Sequence, residues 1–207
     1  MSPRLDIRAL EKRWTPESGL PPVTFDVRAG QLVVVRGRSG SGKSTLLAII
    51  AGLCSADSGS FLVDGASASR VAPWQQIALA PQVLGLAPEL TVRENITDGI
   101  ADPKGVDALI EQLHLEHVAA RTPDTCSMGE QQRTALARAV LVQPMVLLAD
   151  EPTSHQDAAH RDMVVAALRS AAEAGGAVLV VSHDATLWHV ADQVITLGEE
   201  LGGEELG

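Results

Sequence analysis

Aromatic side chains are nearly absent from this sequence of 207 residues: they make up 2% of it, and tyrosine does not occur. Hydrophobic residues still reach 45%, so the core has to be built from valine, leucine, isoleucine and alanine. A chain of this size buries roughly 70% of the surface that its unfolded form exposes, which allows a sizeable core. The ordinary charged fraction of 20% excludes a chain that is disordered throughout.

Long apolar runs are missing as well. The longest covers residues 46–54, about half of what a membrane-spanning helix requires. Residues 1–14 mix charges of both signs and contain no apolar signal-peptide region. The two cysteines, Cys54 and Cys126, lack the spacing of a metal site, and we expect both to be reduced. The sequence therefore predicts a cytoplasmic protein without a membrane span.

Basic residues are in the minority, because 16 lysines and arginines stand against 26 aspartates and glutamates, for a net charge of −10. Proteins that bind nucleic acid by neutralising its phosphates usually carry the opposite sign. We therefore expect no nucleic-acid partner. Several of the acids lie in a tail rich in glycine and glutamate at residues 198–207, which we expect to be disordered.

Apolar runs alternate with helical patterns along the chain. Strands are predicted at residues 31–35, 61–63, 77–80, 145–149, 177–181 and 193–197, and helices at residues 44–53, 106–115, 130–142 and 158–173. This order predicts an α/β fold with a mostly parallel sheet, of the P-loop NTPase type. Because residues 83–143 contain no convincing strand, we expect a single domain, residues 1–207, with a helical subdomain inserted there.

A glycine-rich turn separates the first predicted strand from the first predicted helix. It fits the pattern G-x-x-x-x-G-K-[ST], in which backbone N–H groups and the helix N-terminus bind phosphate oxygens. The lysine would reach the β- and γ-phosphates, and the next hydroxyl would ligate Mg²⁺. The predicted nucleotide-binding residues are Gly37, Arg38, Ser39, Gly40, Ser41, Gly42, Lys43, Ser44 and Thr45. The motif predicts a nucleoside triphosphate site but does not specify the reaction.

The strand predicted at residues 145–149 ends in two acids, Asp150 and Glu151. Next to a phosphate loop, the first carboxylate is placed to serve Mg²⁺ and the second to act as a general base on water. Acid pairs also end strands as solvated turn residues. The phosphate loop upstream favours the catalytic interpretation.

Upstream of these acids stands the segment Cys126-Ser127-Met128-Gly129-Glu130-Gln131-Gln132-Arg133. It resembles the signature of the ATP-binding cassette (ABC) ATPases, whose common form is LSGGQQQR or LSGGEQQR. Gln82 is similar to the family's Q-loop glutamine, residues 154–157 to its D-loop, and His183 to its switch histidine. Trp14 lies where the family places an aromatic that stacks on adenine, although simple packing is the alternative for this side chain. The resemblance covers nearly the whole chain.

The resemblance implies a cassette that works as a head-to-tail dimer with a second copy or a paralogous cassette. Each ATP would lie between one copy's phosphate loop and the other copy's signature segment. In that segment Ser127, Gly129 and Glu130 are implied to contact the nucleotide.

The resemblance also implies ATP hydrolysis, with ATP and Mg²⁺ as the ligands. Glu151 and His183 are the implied catalytic residues, together with Gln82, which would report the nucleotide state. Ser44, Gln82 and Asp150 are the implied ligands of Mg²⁺.

The resemblance further implies an ATPase subunit of an ABC transporter. The permease would be a separate transmembrane subunit, contacted near residues 82–100, which would place the chain on the cytoplasmic face of the membrane. A non-transport ABC ATPase in cell division or cofactor assembly stays open as an alternative. A P-loop kinase fails as an interpretation, because it gives no account of the signature segment or of His183.

The sequence departs from the family pattern in four places. Cys126 stands where leucine is usual and Met128 where glycine is usual in the signature segment, and His155 and Gln156 replace the usual alanine and leucine of the D-loop. We expect these changes to affect turnover or dimer affinity but not the class of protein.

His114 and His117 are three residues apart in the sequence, on what we predict to be one helix. Without a third ligand in view, a solvated helix face is favoured over half of a metal site.

Overall fold

Two sheets form the frame of the protein, which a computed structural model describes for residues 2–67 and 73–198. The strands are β1 (Leu5–Thr15), β2 (Ser18–Val27), β3 (Leu32–Gly37), β4 (Ser58–Val63), β5 (Ala66–Ser67), β6 (Ile77–Ala80), β7 (Val146–Asp150), β8 (Ala177–Val181) and β9 (Gln193–Leu197). The larger sheet has the order β6-β7-β8-β3-β9, with parallel pairing throughout. The predicted α/β class with a parallel sheet is therefore confirmed.

The parallel strands follow the apolar runs of the sequence closely. β6, β8 and β9 have the predicted bounds, and β3 and β7 differ from them by one or two residues. All five residues of β8 are buried, as expected for a strand that is covered on both faces.

A second, antiparallel sheet with the order β2-β1-β4-β5 was not predicted. It also contains the segment 61–63, which the sequence had suggested for the parallel sheet. The reason lies in the residue pattern: Leu5 and Ile7 of β1 are buried, while Asp6 between them is not fully buried. A search for continuous apolar runs finds strands buried on both faces and passes over half-buried strands of this kind.

Within the described residues, six α-helices connect or flank the strands. They are α1 (Lys43–Ile50), α2 (Val92–Thr97), α3 (Val106–Gln112), α4 (Met128–Leu141), α5 (Ala158–Glu173) and α6 (Ala185–Val190). α2 and α6 were not predicted, although Thr91 and Glu94 form a capping box at the start of α2. α1 ends at Ile50 instead of residue 53, and α4 begins two residues earlier than expected.

Residues 83–143 contain α2, α3, α4 and two short 3₁₀ turns, Glu116–Val118 and Pro123–Thr125, and no strand. Their apolar side chains pack on one face of the parallel sheet, against Leu32 and Val34 of β3. The alternate residues Val33 and Val35 face the core formed with α1 and the antiparallel sheet. We therefore propose to treat residues 83–143 as a helical subdomain of a single domain.

The tail predicted at residues 198–207 lies, apart from Gly198, outside the described residues. In the described ranges none of the helices combines the length and the apolarity needed for a membrane crossing. Cys54 and Cys126 are both free.

Candidate active site

A cavity of about 580 Å³ lies over the carboxyl ends of the central strands. Its lining contains most of the residues that the phosphate-loop and acidic-strand motifs single out: Ser39, Gly40, Gly42, Lys43, Ser44, Thr45, Asp150 and Glu151. Trp14, Gln82 and His183, which the family resemblance implies, also line it. Parallel strands bring their carboxyl ends to one edge of a sheet, which is where ligands of open α/β sheets bind.

The loop between β3 and α1 turns sharply at two of its glycines. Gly40 and Gly42 have φ angles of 81° and 92°, a left-handed conformation that favours glycine. A Cβ atom on Gly42 would come within 2.5 Å of the carbonyl oxygen of Gly19, so the start of β2 lies directly against this loop. The sequence did not indicate that contact, because β1 and β2 were not predicted.

Lys43 is the first residue of α1, directly after the loop, and it is buried. Its ammonium group donates hydrogen bonds to the carbonyl oxygens of Gly37, at 2.7 Å, and Arg38, at 2.9 Å. Burial lowers the pKa of Lys43, while the nearby carboxylates of Glu151 and Asp150 oppose that shift. The ammonium group is therefore held close to two acids, in a place where phosphate oxygens can replace the carbonyl partners.

Asp150 ends β7 beside the first turn of α1. Burial raises the pKa of its carboxyl group, and a hydrogen bond with the Ser44 side chain acts in the opposite direction. The Oδ1 atom is buried and has no hydrogen-bond partner among the described residues. A buried oxygen of this kind next to a hydroxyl fits a hard cation such as Mg²⁺, which prefers oxygen ligands and needs few of them from the protein.

Glu151 directly follows β7 in a left-handed conformation, with a φ angle of 48°. Its Oε2 atom accepts hydrogen bonds from the Ser182 hydroxyl, at 3.1 Å, and from the His183 backbone N–H, at 3.3 Å. The Nε2 atom of His183 lies 3.7 Å from Oε1 of the same carboxylate. Ser182, which anchors the carboxylate, was not among the predicted site residues.

Trp14 lies at the rim of the cavity, with 56% of its surface exposed. Its indole N–H donates to the Thr45 hydroxyl over 3.1 Å, and the Lys12 ammonium lies 5.0 Å from the ring centroid. Lys12 is itself paired with Asp57 over 2.6 Å. A large exposed side chain that is anchored at its edge is well suited to present a flat surface to a ligand.

The signature segment lies at the start of α4 and does not line the cavity of its own chain. Ser127 caps the helix: its hydroxyl accepts from the Glu130 N–H, and the Glu130 Oε2 atom accepts from the Ser127 N–H, at 2.7 Å, and hydroxyl, at 2.8 Å. A Cβ atom on Gly129 would come within 2.7 Å of the His155 carbonyl oxygen. The three predicted contact residues of this segment are thus grouped together, but apart from the phosphate loop.

The prediction that His114 and His117 share a helix was wrong. α3 ends at Gln112, and His117 lies in the following 3₁₀ turn. The Nε2 atom of His117 is 2.8 Å from Oε1 of Glu130. The histidine therefore contacts the signature segment, a contact between distant residues that sequence spacing could not indicate.

Comparisons with known proteins agree with this geometry. The protein-family model described as "ABC transporter" matches residues 20–154. The molybdate/tungstate import ATP-binding protein WtpC of Pyrococcus horikoshii is 34% identical over 96% of this chain and 58% of its own length. The spermidine/putrescine import ATP-binding protein PotA of Chromobacterium violaceum is 36% identical over 87% and 53%. The chain thus spans somewhat more than half the length of these relatives.

Among solved structures, the dimeric structure of the bacterial ABC transporter cassette MJ0796 superposes with a TM-score of 0.83 at 28% sequence identity. The match covers 93% of this chain and 94% of that one. The same cassette in a post-hydrolysis state bound to ADP and Pi gives a TM-score of 0.81.

Proposed function

The chain belongs to the ABC transporter family, and from that membership we propose that it binds and hydrolyses ATP to drive a separate permease subunit at the cytoplasmic face of a membrane. The observation that carries the proposal is the convergence of Lys43, Asp150, Glu151 and His183 on one cavity. Both relatives described above are import ATP-binding proteins, which favours transport over a role in cell division or cofactor assembly.

ATP would be held at both of its ends. The backbone N–H groups of residues 38–44 and the Lys43 ammonium would bind the phosphates, in exchange for the two carbonyl oxygens that Lys43 now contacts. Trp14 would stack on the adenine. Mg²⁺ bound with the nucleotide would neutralise phosphate charge, and Ser44, Asp150 and Gln82 are the residues placed to hold it.

Hydrolysis would be an in-line attack of water on the γ-phosphorus, with Glu151 accepting the proton that the water loses. Because Ser182 and His183 hold Oε2, the other oxygen, Oε1, is left to receive that proton. The bond from the γ-phosphorus to the bridging oxygen of ADP breaks in the same step. The His183 side chain is placed next to Oε1 and would orient the γ-phosphate.

A second copy, or a paralogous cassette, would complete each site. This part of the proposal is supported by the separation of Ser127, Gly129 and Glu130 from the cavity of their own chain. The related cassette MJ0796, which is similar over 93% of this chain, is a dimer. In a head-to-tail pair, the start of α4 would face the partner's γ-phosphate.

We expect Ser127→Arg to abolish the rise in ATP turnover that dimer formation produces. For the wild type, ATP turnover per protein should rise with protein concentration until the dimer saturates. A bulky side chain at the shared phosphate should reduce turnover at least about tenfold, the effect of 1.4 kcal/mol, while single-chain ATP binding is kept. Phosphate release measured over a series of protein concentrations tests this.

The matched control is Ser170→Arg, at an exposed position on α5. It should leave the concentration dependence unchanged. Full turnover of Ser127→Arg at every concentration would contradict the shared site.

Trp14→Ala should raise the Michaelis constant for ATP more than it lowers the maximal rate. Stacking on adenine is made equally in the ground state and the transition state, and base stacking is worth about 1–3 kcal/mol. Steady-state kinetics of this variant are to be compared with those of Trp74→Ala, which removes another half-exposed tryptophan. An unchanged Michaelis constant would assign Trp14 to simple packing.

A further inference from the structure

A cluster of buried polar side chains lies beneath the start of α4. Gln132, Arg133 and Gln156 expose only 5%, 4% and 8% of their surfaces, and none of them lines the ATP cavity. Burial of such groups is unfavourable unless each one is hydrogen-bonded. Gln156 belongs to the D-loop segment, residues 154–157, and stands where the resemblance leads one to expect leucine.

The direction of the hydrogen bonds around Gln156 follows from its partners. Arg133 can only donate, and its Nη1 atom lies 2.6 Å from Gln156 Oε1, so this oxygen accepts. The Gln156 amide nitrogen therefore points the other way and donates to the carbonyl oxygen of Gly129, which can only accept, at 3.1 Å. The same nitrogen donates to Gln132 Oε1, also at 3.1 Å.

The orientation of Gln132 is fixed in the same manner. Since its Oε1 atom accepts from Gln156, its amide nitrogen faces the backbone of the catalytic segment. That nitrogen donates to the Glu151 carbonyl oxygen at 2.6 Å and to the Ser154 hydroxyl at 3.1 Å. The Glu151 carbonyl oxygen accepts only, so the amide cannot be turned round without the loss of this bond.

The result is a one-way chain of donors from Arg133 through Gln156 and Gln132 to the backbone of Glu151. At its far end, Arg133 Nε donates to the carbonyl oxygen of Leu113, the residue that follows α3, at 2.9 Å. Bonds aligned in this way polarise and strengthen one another in a buried site. This series of hydrogen bonds connects Leu113 of the helical subdomain, and α4, with the backbone of Glu151.

Glu151 needs such support, because its φ angle of 48° lies in a region that is unfavourable for a residue with a side chain. Its backbone N–H donates to the Val181 carbonyl oxygen at 2.8 Å, so β8 holds one side of the residue. On the other side, its carbonyl oxygen accepts from the buried Gln132 amide, at 2.6 Å, and from the Ser154 backbone N–H, at 3.1 Å. These bonds hold the Glu151 backbone, from which the carboxylate reaches Ser182 and His183.

We propose that Gln156 is a positioning residue for ATP hydrolysis: it sets the orientation of the Gln132 amide and thereby holds Glu151 in place. The inference rests on the proposed ATPase function and adds to it a role for the departure from leucine at residue 156. In the proposed dimer, the start of α4 faces the nucleotide bound by the partner, while Glu151 acts on the nucleotide bound by its own subunit. The chain of bonds therefore links the two composite sites through one subunit.

The test uses two substitutions of the same residue. Gln156→Leu removes all three hydrogen bonds and supplies the residue usual at this place. Gln156→Glu keeps the acceptor for Arg133 but removes the donor for Gly129 and Gln132. We expect both variants to lower kcat by about tenfold to a hundredfold, the effect of a small displacement of a catalytic group. Their affinity for a non-hydrolysable ATP analogue should stay within about twofold of the wild type, because the phosphate loop takes no part in this series of hydrogen bonds.

Calorimetric titration with the analogue separates binding from hydrolysis, and thermal unfolding checks the fold. Gln75→Leu, at an exposed position, is the control and should keep the wild-type kcat. If both Gln156 variants keep the wild-type kcat, or lose activity only in proportion to a lowered melting temperature, the positioning role is overturned. If the wild type itself fails to bind or hydrolyse ATP, the proposed function is overturned instead.

Discussion

Glu151→Gln should bind ATP as well as the wild type does, hydrolyse it at least about a hundredfold more slowly, and accumulate as an ATP-bound dimer. A general base contributes about 10²–10⁴-fold to the rate of a reaction, and an amide cannot accept the proton. The amide oxygen can still accept from the Ser182 hydroxyl and the His183 N–H, which now contact Oε2. The shape of the site should therefore persist while the chemistry stops.

Accumulation of the dimer follows from linkage. ATP that binds the closed pair more tightly than the single subunit favours the pair by that difference, and hydrolysis normally ends this state. Sedimentation of Glu151→Gln should show a monomer without nucleotide and a shift toward the dimer with ATP. The same shift should be absent in the double variant with Ser127→Arg.

The control for this experiment is Glu173→Gln, at an exposed position at the end of α5, which should behave as the wild type. Two results would contradict the assignment. One is near-normal turnover of Glu151→Gln, and the other is an ATP-bound variant that stays monomeric at high protein concentration.

Lys43→Ala should lose both ATP affinity and turnover. A hydrogen bond to a charged group contributes about 1.5–3 kcal/mol, so removal of the ammonium should weaken ATP binding by at least about tenfold. In the transition state, negative charge increases on the phosphate oxygens that Lys43 would contact. Turnover should therefore fall by more than binding does, by about a hundredfold or more. Calorimetry and phosphate release measure the two effects separately.

We also expect this substitution to lower the stability of the fold. Lys43 donates to the carbonyl oxygens of Gly37 and Arg38, and the alanine variant leaves them without this partner. Circular dichroism and thermal unfolding are needed to show that the fold survives. Lys104→Ala, at a side chain that is 87% exposed, is the control. Undiminished turnover of Lys43→Ala would remove the basis for the phosphate-loop assignment.

The phosphate loop and the acidic strand could be located from local sequence, because their chemistry depends on residues that are close in the chain. Gly40 and Gly42 provide left-handed backbone, and Lys43 and Ser44 follow at the start of α1. The strands buried on both faces could be located for a similar reason, since their apolar runs are continuous. For β6 and β8 the bounds agree with the sequence pattern.

The antiparallel sheet could not be located in this way, and its absence from the prediction had consequences at the site. The start of β2 brings Gly19 against Gly42 and adds Ser18 and Gly19 to the lining of the cavity. β1 shows mixed burial, and its pairing with β2 and β4 has register shifts that obscure a regular alternation. Long-range pairing of this kind is decided by packing rather than by local pattern.

The sequence by itself determined the class of protein and the place of the glycine-rich loop and the acidic strand that line the cavity, because motif spacing along a strand, a turn and a helix constrains the backbone directly. Only the tertiary structure decided which distant groups are joined. It separated Ser127 from the phosphate loop of its own chain, placed His117 against Glu130, and buried Gln156 between Arg133 and Gln132. Hydrogen bonds of buried side chains depend on atoms that lie within about 3 Å of one another after folding, and spacing along the sequence carries no measure of that distance.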